Sequence, residues 1–299
     1  MELTRPVETR LIEYAIAVAD ELSFTRAAQR VYASQSTVSA GVRALERELG
    51  AVLFERDQRG VRITSAGEAV LPALRALADA EARARTAADP HGELRGRLRI
   101  GVFSSVSYLA IPRVIGAFHR DHPLVDLRLR ASSSGSAELA DAVLRGRLDL
   151  SLYGLPATTA PAGLAVHRLA TSRFSVVLPP DHRLAARDRI PLRDLGSERF
   201  IDAPAGFGNR DALDAAFDAR GMVREVSVEA TETSSIPVFV AHGLGIALLP
   251  GLLIPPSGDV TVVPLAEDID WEFNVVTRTS VSEVTGALLE QLLEAYRTP

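Results

Sequence analysis

Apolar positions in the first fifty residues recur at steps of three and four. Leu11, Tyr14, Ala15, Val18 and Leu22 line one side of a helix predicted from about Val7 to Asp20. Ser23 is placed to cap a second, shorter helix that turns Ala27, Ala28 and Val31 inward. Ser34 caps a third, whose stripe of Val38, Val42, Leu45 and Leu49 ends at Gly50, a usual helix stop. Three helices in this order, the last two joined by the short turn "YA", predict a helix-turn-helix. The next stretch, "VLFERDQRGVRIT", carries two short β-prone pieces around the polar "DQRG", the pattern of a hairpin wing. In "SAGEAVLPALRALADAEARARTAAD", strong helix formers with Val70, Leu74 and Leu77 along one edge predict a long helix. Having no core of its own, that helix is expected to pair with a second copy, and "DPHGELRG" after it reads as a hinge.

From Leu98 the period changes. Short apolar runs, "RLRIGVF", "VDLRLRA", "LDLSLYG", "LAVHRLA", "RFSVVLP" and "GIALLP", alternate with helix-like segments, which predicts an α/β architecture with largely parallel sheets. Some 200 residues is large for one such sheet, so two α/β lobes are expected.

Composition narrows the chemistry. With 299 residues, 47% of them hydrophobic and 24% charged, the chain is long enough for two or three ordinary globular domains. No stretch reaches the about 18 uninterrupted apolar residues of a membrane span, and the charged start "MELTRPVETR" lacks the apolar run of a secretory signal, so a cytoplasmic location is expected. There is no cysteine, which excludes disulfides, thiolate nucleophiles, iron–sulfur clusters and thiol redox sensing in this chain. All 33 basic residues are arginine, which removes Schiff-base and P-loop mechanisms that need a lysine amine. Net charge is −5, yet between Ser23 and Ala66 the arginines at 26, 30, 43, 47, 56, 59 and 62 outnumber Glu46, Glu48, Glu55 and Asp57. The overall acidity conceals a basic N-terminal module suited to nucleic acid.

Opposite its apolar stripe, the third helix displays Ser36, Ser39, Arg43 and Arg47, with Gln35 and Thr37 near its N-terminal end. Glutamine can make paired hydrogen bonds to adenine, serine and threonine reach base edges or phosphates, and arginines further along suit phosphate contacts. The run from Ser23 to Leu71, with "SQSTVS", "LE", "LG", "LFER" and "TSAGE" in that order, resembles the DNA-binding domain of LysR-type transcriptional regulators. The resemblance extends more loosely through the linker helix and "GLGIALLP" to the end of the chain. It implies that Gln35, Thr37 and Ser39 face bases, that Ser36 and Arg43 hold phosphates, and that Arg59 on the wing reaches the minor groove. Ser34, Arg56 and Thr64 complete the DNA-binding set. Where the family often carries Arg or Gln after "VS", this chain has Ala40 and Gly41. Gly41 disfavours a helix by roughly 1 kcal/mol relative to alanine, and close packing against the first two helices is the expected compensation.

A second constellation lies in the α/β part. Ser104 and Ser105 follow the first strand, Ser136 opens the helix "SAELADAVL", and Thr233, Ser234 and Ser235 precede an apolar helix. Hydroxyls and free N–H groups converging at strand and helix ends suit a small anion. The family resemblance implies an effector cleft between two periplasmic-binding-like lobes. Ser104, Ser105 and Ser136 would line one side, with Phe207, Gly208, Asn209 and Thr231 to Thr233 on the other. A carboxylate effector is expected, with an aromatic one suited to stacking on Phe207.

Other chemistry finds little support. His119 and His122 are spaced for a helical metal pair without further ligands, His242 reads as a C-terminal cap interaction, and no G-x-S-x-G elbow occurs. The rival reading, a solute-binding protein or enzyme on the same two-lobed fold, would need a signal peptide or a catalytic constellation. The expected fold is therefore α/β with an N-terminal all-α winged helix-turn-helix (1–65) and a linker helix with hinge (66–92). A two-lobed effector domain follows (93–299), with lobe I at 93–165 and 268–299 and lobe II at 166–267. No enzyme activity, cofactor or metal is expected. The expected partners are double-stranded promoter DNA, a small-molecule effector and a second copy of the chain, and the resemblance implies a tetramer.

Overall fold

In the computed structural model, which describes residues 8–57, 60–87, 93–103, 109–132, 134–256 and 258–297, the three expected helices are α1 (Thr9–Glu21), α2 (Phe24–Arg30) and α3 (Gln35–Leu49). Their boundaries follow from local chemistry. Ser23 Oγ accepts the Arg26 N–H at 3.3 Å, Ser34 Oγ accepts the Thr37 N–H at 3.1 Å, and α3 stops at Gly50 with φ 65°. Val38, Val42 and Leu45 are buried against Tyr14, Ala15 and Val18 of α1 and Ala27 of α2. Gly41 lies where a Cβ would stand 2.5 Å from Tyr14 Cδ2, so the absent side chain lets α3 approach α1 rather than both preceding helices.

The wing is β1 (Phe54–Asp57) paired antiparallel with β2 (Gly60–Ile63). It leads into α4 (Ser65–Ala87). The first half of α4 does have a core, contrary to expectation: Leu71 and Leu74 are buried in the helix-turn-helix cluster. Asp20 of α1 pairs with Arg75 of α4, itself only 3% exposed, and with Arg30 of α2 at 2.9 Å. Burial alone would raise the Asp20 carboxyl, but the two guanidiniums outweigh it and hold it below the usual carboxylate range. Leu77, by contrast, points outward and is exposed.

Contacts divide the chain into two units, the first reaching Gly96 and including Leu144–Arg147, the second comprising Arg97–Val143 and the chain from Leu148. In the second unit, β3 (Gly96–Phe103) pairs in parallel with β5 (Leu150–Tyr153) and has β4 (Val125–Ser132) as its other neighbour. The connecting helices are α5 (Ile111–Asp121) and α6 (Ser136–Leu144). Two long strands, β6 (Leu164–Leu178) and β11 (Asp270–Arg278), run antiparallel to each other and extend from this lobe into the next. Up to Arg173, β6 pairs with β11; from Phe174 it pairs with β9 (Ala247–Pro250), and from Ser175 also with β10 (Thr261–Pro264). A separate parallel pair, β7 (Arg199–Asp202) and β8 (Glu225–Glu229), is bridged from Phe200 to Ile246, the residue before β9.

The sheets are thus mixed rather than largely parallel, because the strands linking the lobes are antiparallel. "LAVHRLA" and "RFSVVLP" are not two strands but one, and position 165/166 falls inside it. Helices α7 (Gly208–Asp218), α8 (Ile236–Ala241) and α9 (Glu283–Arg297) complete the unit. Among the described residues, no helix is long and apolar enough to cross a membrane, and no group of three or more acidic, His or Cys side chains could hold a metal. The His122 ring packs on Phe118 at 4.7 Å between centroids, and His242 Nδ1 bonds the Val238 carbonyl at 2.8 Å.

Candidate functional site

The first candidate site is the exposed side of α3. Ser34, Gln35, Ser36 and Thr37 are all exposed at its N-terminus, where the Ser34 hydroxyl bonds the hydroxyls of Ser36 at 2.8 Å and Thr37 at 2.7 Å. Arg43 and Arg47 follow along the same helix, both exposed, and among the described residues no carboxylate pairs with either. The arrangement offers a polar, hydrogen-bonding tip followed by unneutralised positive charge.

Three predicted contacts are also engaged within the protein: Ser39, which is buried, Arg56, which is exposed on the wing, and Thr64. Ser39 does not join the exposed face: it is buried and its Oγ accepts from Arg56 Nη2 at 3.2 Å. Arg56 in turn lies with Cζ 3.9 Å from the Phe24 ring centre, so its guanidinium clamps the wing to α2 and α3. Glu46, which the sequence offered only as a charge, supports the same junction by accepting the N–H groups of Leu53 at 2.8 Å and Phe54 at 3.2 Å. Thr64 is a hinge between wing and linker helix. Its hydroxyl donates to the Val52 carbonyl at 2.6 Å and accepts the Gly67 N–H at 2.9 Å, leaving it committed to the fold. Arg59 lies outside the described residues.

The second candidate site lies between the lobes of the second unit. One side is made by Phe103 at the end of β3, Ser132 at the end of β4, Gly135 and Ser136 at the start of α6, Gly154 after β5, and Trp271 on β11. The other is made by Phe207, Gly208 and Asn209 at the start of α7, with Thr233 and Leu253. Glycines allow the approach. A Cβ on Gly208 would stand 1.9 Å from the Gly154 carbonyl oxygen, and one on Gly135 would stand 2.8 Å from that of Gly206. The enclosed space is about 30 Å³, room for one or two waters, so an organic ligand requires the lobes to part.

Five of the predicted effector residues, Ser136, Phe207, Gly208, Asn209 and Thr233, meet here; Thr231 is exposed and away from the lining, and Ser104 and Ser105 lie outside the described residues. Ser136 is used internally, its Oγ accepting the Gly154 N–H at 2.9 Å. Among the described residues of the lining, the fully buried side-chain N–H donors with no protein partner are Asn209 Nδ2 and Trp271 Nε1. Trp271 escaped the sequence reading; being the chain's one tryptophan was its only signal. No charged side chain is among the described lining; α7 begins at Phe207 without a side-chain cap, with Gly208 and Asn209 of its first turn in the lining and Asp211 of the same turn accepting the Gly206 N–H at 3.1 Å. Phe103 and Trp271 form aromatic walls, with ring centres 6.5 Å apart.

Residues 9–68 match a family model described as the bacterial regulatory helix-turn-helix protein of the lysR family, and residues 91–297 match the LysR substrate binding domain. The chain is 35% identical over 257 residues to the HTH-type transcriptional regulator ShiR of Corynebacterium glutamicum (strain R), covering 84% of this chain and 86% of that protein. A full-length OxyR variant from Pseudomonas aeruginosa has a similar structure, with a TM-score of 0.80 at 26% identity over 98% of this chain and 96% of that one. Full-length CbnR in complex with its target DNA, 20% identical, shares the fold with a TM-score of 0.56 over 97% of this chain and 99% of that one. With a winged helix-turn-helix ahead of a two-lobed α/β domain, and both family models matched in that order, this chain belongs to the LysR family of DNA-binding transcriptional regulators.

Proposed function

We propose that this regulator acts in the cytoplasm as a homo-oligomer whose α3 enters the major groove of promoter DNA and whose inter-lobe pocket takes a small organic anion. The observation that carries the DNA half is the exposed face of α3: hydroxyls and an amide at the tip, unpaired arginines behind, and a fully buried opposite side. Gln35 reads an adenine edge, Ser36 and Thr37 reach bases or phosphates, and Arg43 and Arg47 hold phosphates. Ser39 and Thr64 act from beneath by fixing the wing; Arg56, exposed while its guanidinium lies against Phe24, stays in the DNA-binding set, and Arg59 is assigned to the minor groove as the family resemblance implies.

Exposed Ala73, Ala76, Leu77 and Ala80 recur at helical steps along α4, an edge suited to pairing with a second copy. A dimer places two recognition helices about one DNA turn apart. DNase footprinting upstream of the protein's own gene is expected to show two protected half-sites with that spacing, and uniform protection of any DNA would contradict the reading.

The effector is a carboxylate, planar and aromatic by preference. Asn209 Nδ2, Trp271 Nε1 and the first-turn N–H groups of α7 supply donors, and the aromatic walls supply stacking. Because Trp271 lines the pocket, its fluorescence reports binding directly. Aromatic carboxylates should perturb it saturably and lose affinity in Asn209→Leu; a response to the matching uncharged amides alone would refute an anionic effector.

A further inference from the structure

We infer that Tyr32, in the turn between α2 and α3, is a further DNA contact whose phenol donates a hydrogen bond to a phosphate beside the recognition helix; the inference rests on the DNA-binding reading above. The turn is closed by the Ala33 N–H on the Ala28 carbonyl at 2.9 Å and the Tyr32 N–H on the Gln29 carbonyl at 3.3 Å. That pair of bonds ends a helix around one left-handed residue, a place where glycine is the usual occupant and asparagine the next. Here the occupant is tyrosine, with φ 52°. A Cβ in this conformation crowds the following carbonyl, and such strain persists at positions held for a function.

Packing does not compensate for it. Leu22, at the end of α1, has a similar φ of 45°, but it is 49% exposed, so about half of its surface is covered. Tyr32 is 98% exposed, so its ring touches almost nothing in the protein. An aromatic side chain that strains the backbone and leaves its whole face in water contributes to neither the turn nor the core.

Its position indicates what it meets. The exposed polar tip of α3 begins two residues later at Ser34 and continues through Thr37, so any duplex that receives Gln35 passes close to the turn. A phenol is one of the side chains that regularly donate to phosphate oxygens, and the ring can cover the adjoining sugar. Being neutral, the contact adds affinity for any duplex without releasing a counterion, which separates it from Arg43.

The test uses the full chain and a fluorescein-labelled duplex of mixed sequence, with anisotropy read over a salt series. Tyr32→Phe keeps the ring and the backbone and is expected to weaken binding about tenfold, with the slope of log affinity against log salt unchanged. Tyr32→Gly is expected to weaken it further while melting at or above the parent temperature, since glycine relieves the left-handed strain. Arg43→Ala, as the ionic control, should reduce the slope by about one. Parent-like affinity in Tyr32→Phe overturns the phosphate bond. Parent-like affinity in both variants, with promoter activation lost in cells, would assign the ring to a protein partner instead. A parent protein that binds no duplex would overturn the DNA-binding reading itself, a result distinct from either.

Discussion

Gly41→Ala places a methyl group at the closest approach of α1 and α3, and the structure sets the size of the response. The new Cβ would stand 2.5 Å from Tyr14 Cδ2, 3.1 Å from Tyr14 Cε2 and 3.3 Å from Leu11 Cδ2. Carbon atoms in contact sit about 3.5–4.0 Å apart, so ring or helix must retreat by about an ångström. Tyr14 is 4% exposed, and the clash falls on a carbon near the base of its ring rather than on a flexible tip. Overpacking of this kind destabilises by about 1–3 kcal/mol, and the upper part of that range applies to a boxed-in ring. Alanine regains about 1 kcal/mol of helix propensity, leaving a net loss of roughly 1–2 kcal/mol. For a unit of this size that corresponds to a fall of roughly 5–10 °C in melting temperature. Far-ultraviolet circular dichroism follows both units, whereas the one tryptophan, Trp271, reports only on the second, so the first unit's transition is read from their difference. Tyr14→Leu in the alanine background should recover part of the loss. An alanine variant that melts at or above the parent would refute the packing argument.

Asp20→Asn withdraws a carboxylate from between Arg75 and Arg30 and should destabilise the first unit by about 3 kcal/mol in urea. Because the folded carboxyl lies below its usual value, the stability it contributes is full above about pH 4 and fades as pH falls through the lowered value. The variant should therefore show a flatter acid limb in a stability–pH profile, and an unchanged limb would contradict the pairing. Gly208→Ala drives a methyl group onto the Gly154 carbonyl and should part the lobes, read as a red shift of Trp271 emission as water reaches the indole. Unaltered emission with unaltered effector affinity would show that this contact does not hold the pocket closed.

The helix-turn-helix was legible because its determinants are local: a serine cap on α2 and on α3, an apolar stripe at helical spacing, and a glycine stop after α3. Ser39 was misplaced for a reason that no single helix reveals. It lies about 100° round α3 from Val38, on the border of the buried side, and the wing covers that flank through Arg56 and Glu46. The core beneath α4 was missed in the same way, because Leu71 and Arg75 meet partners some fifty residues earlier in the chain. In the second unit, runs of apolar residues marked strands well enough, but β6 changes partners at Phe174 without any break in its sequence pattern. Half of the pocket could be read from helix starts, which carry recognisable hydroxyls and glycines. Phe103 and Trp271 could not, since an aromatic residue in a strand looks the same whether it faces a core or a cavity.

The central claim, that α3 reads sequence with its tip and is anchored by charge behind it, is tested most directly by Gln35→Ala. Anisotropy over a salt series, on DNA from upstream of the protein's own gene and on a shuffled duplex, separates the two contributions. The account predicts that the parent prefers the upstream DNA, that the variant loses about tenfold or more of that preference, and that the salt slope stays the same. A variant that keeps the parent's preference, or a parent that binds both duplexes alike, would contradict it.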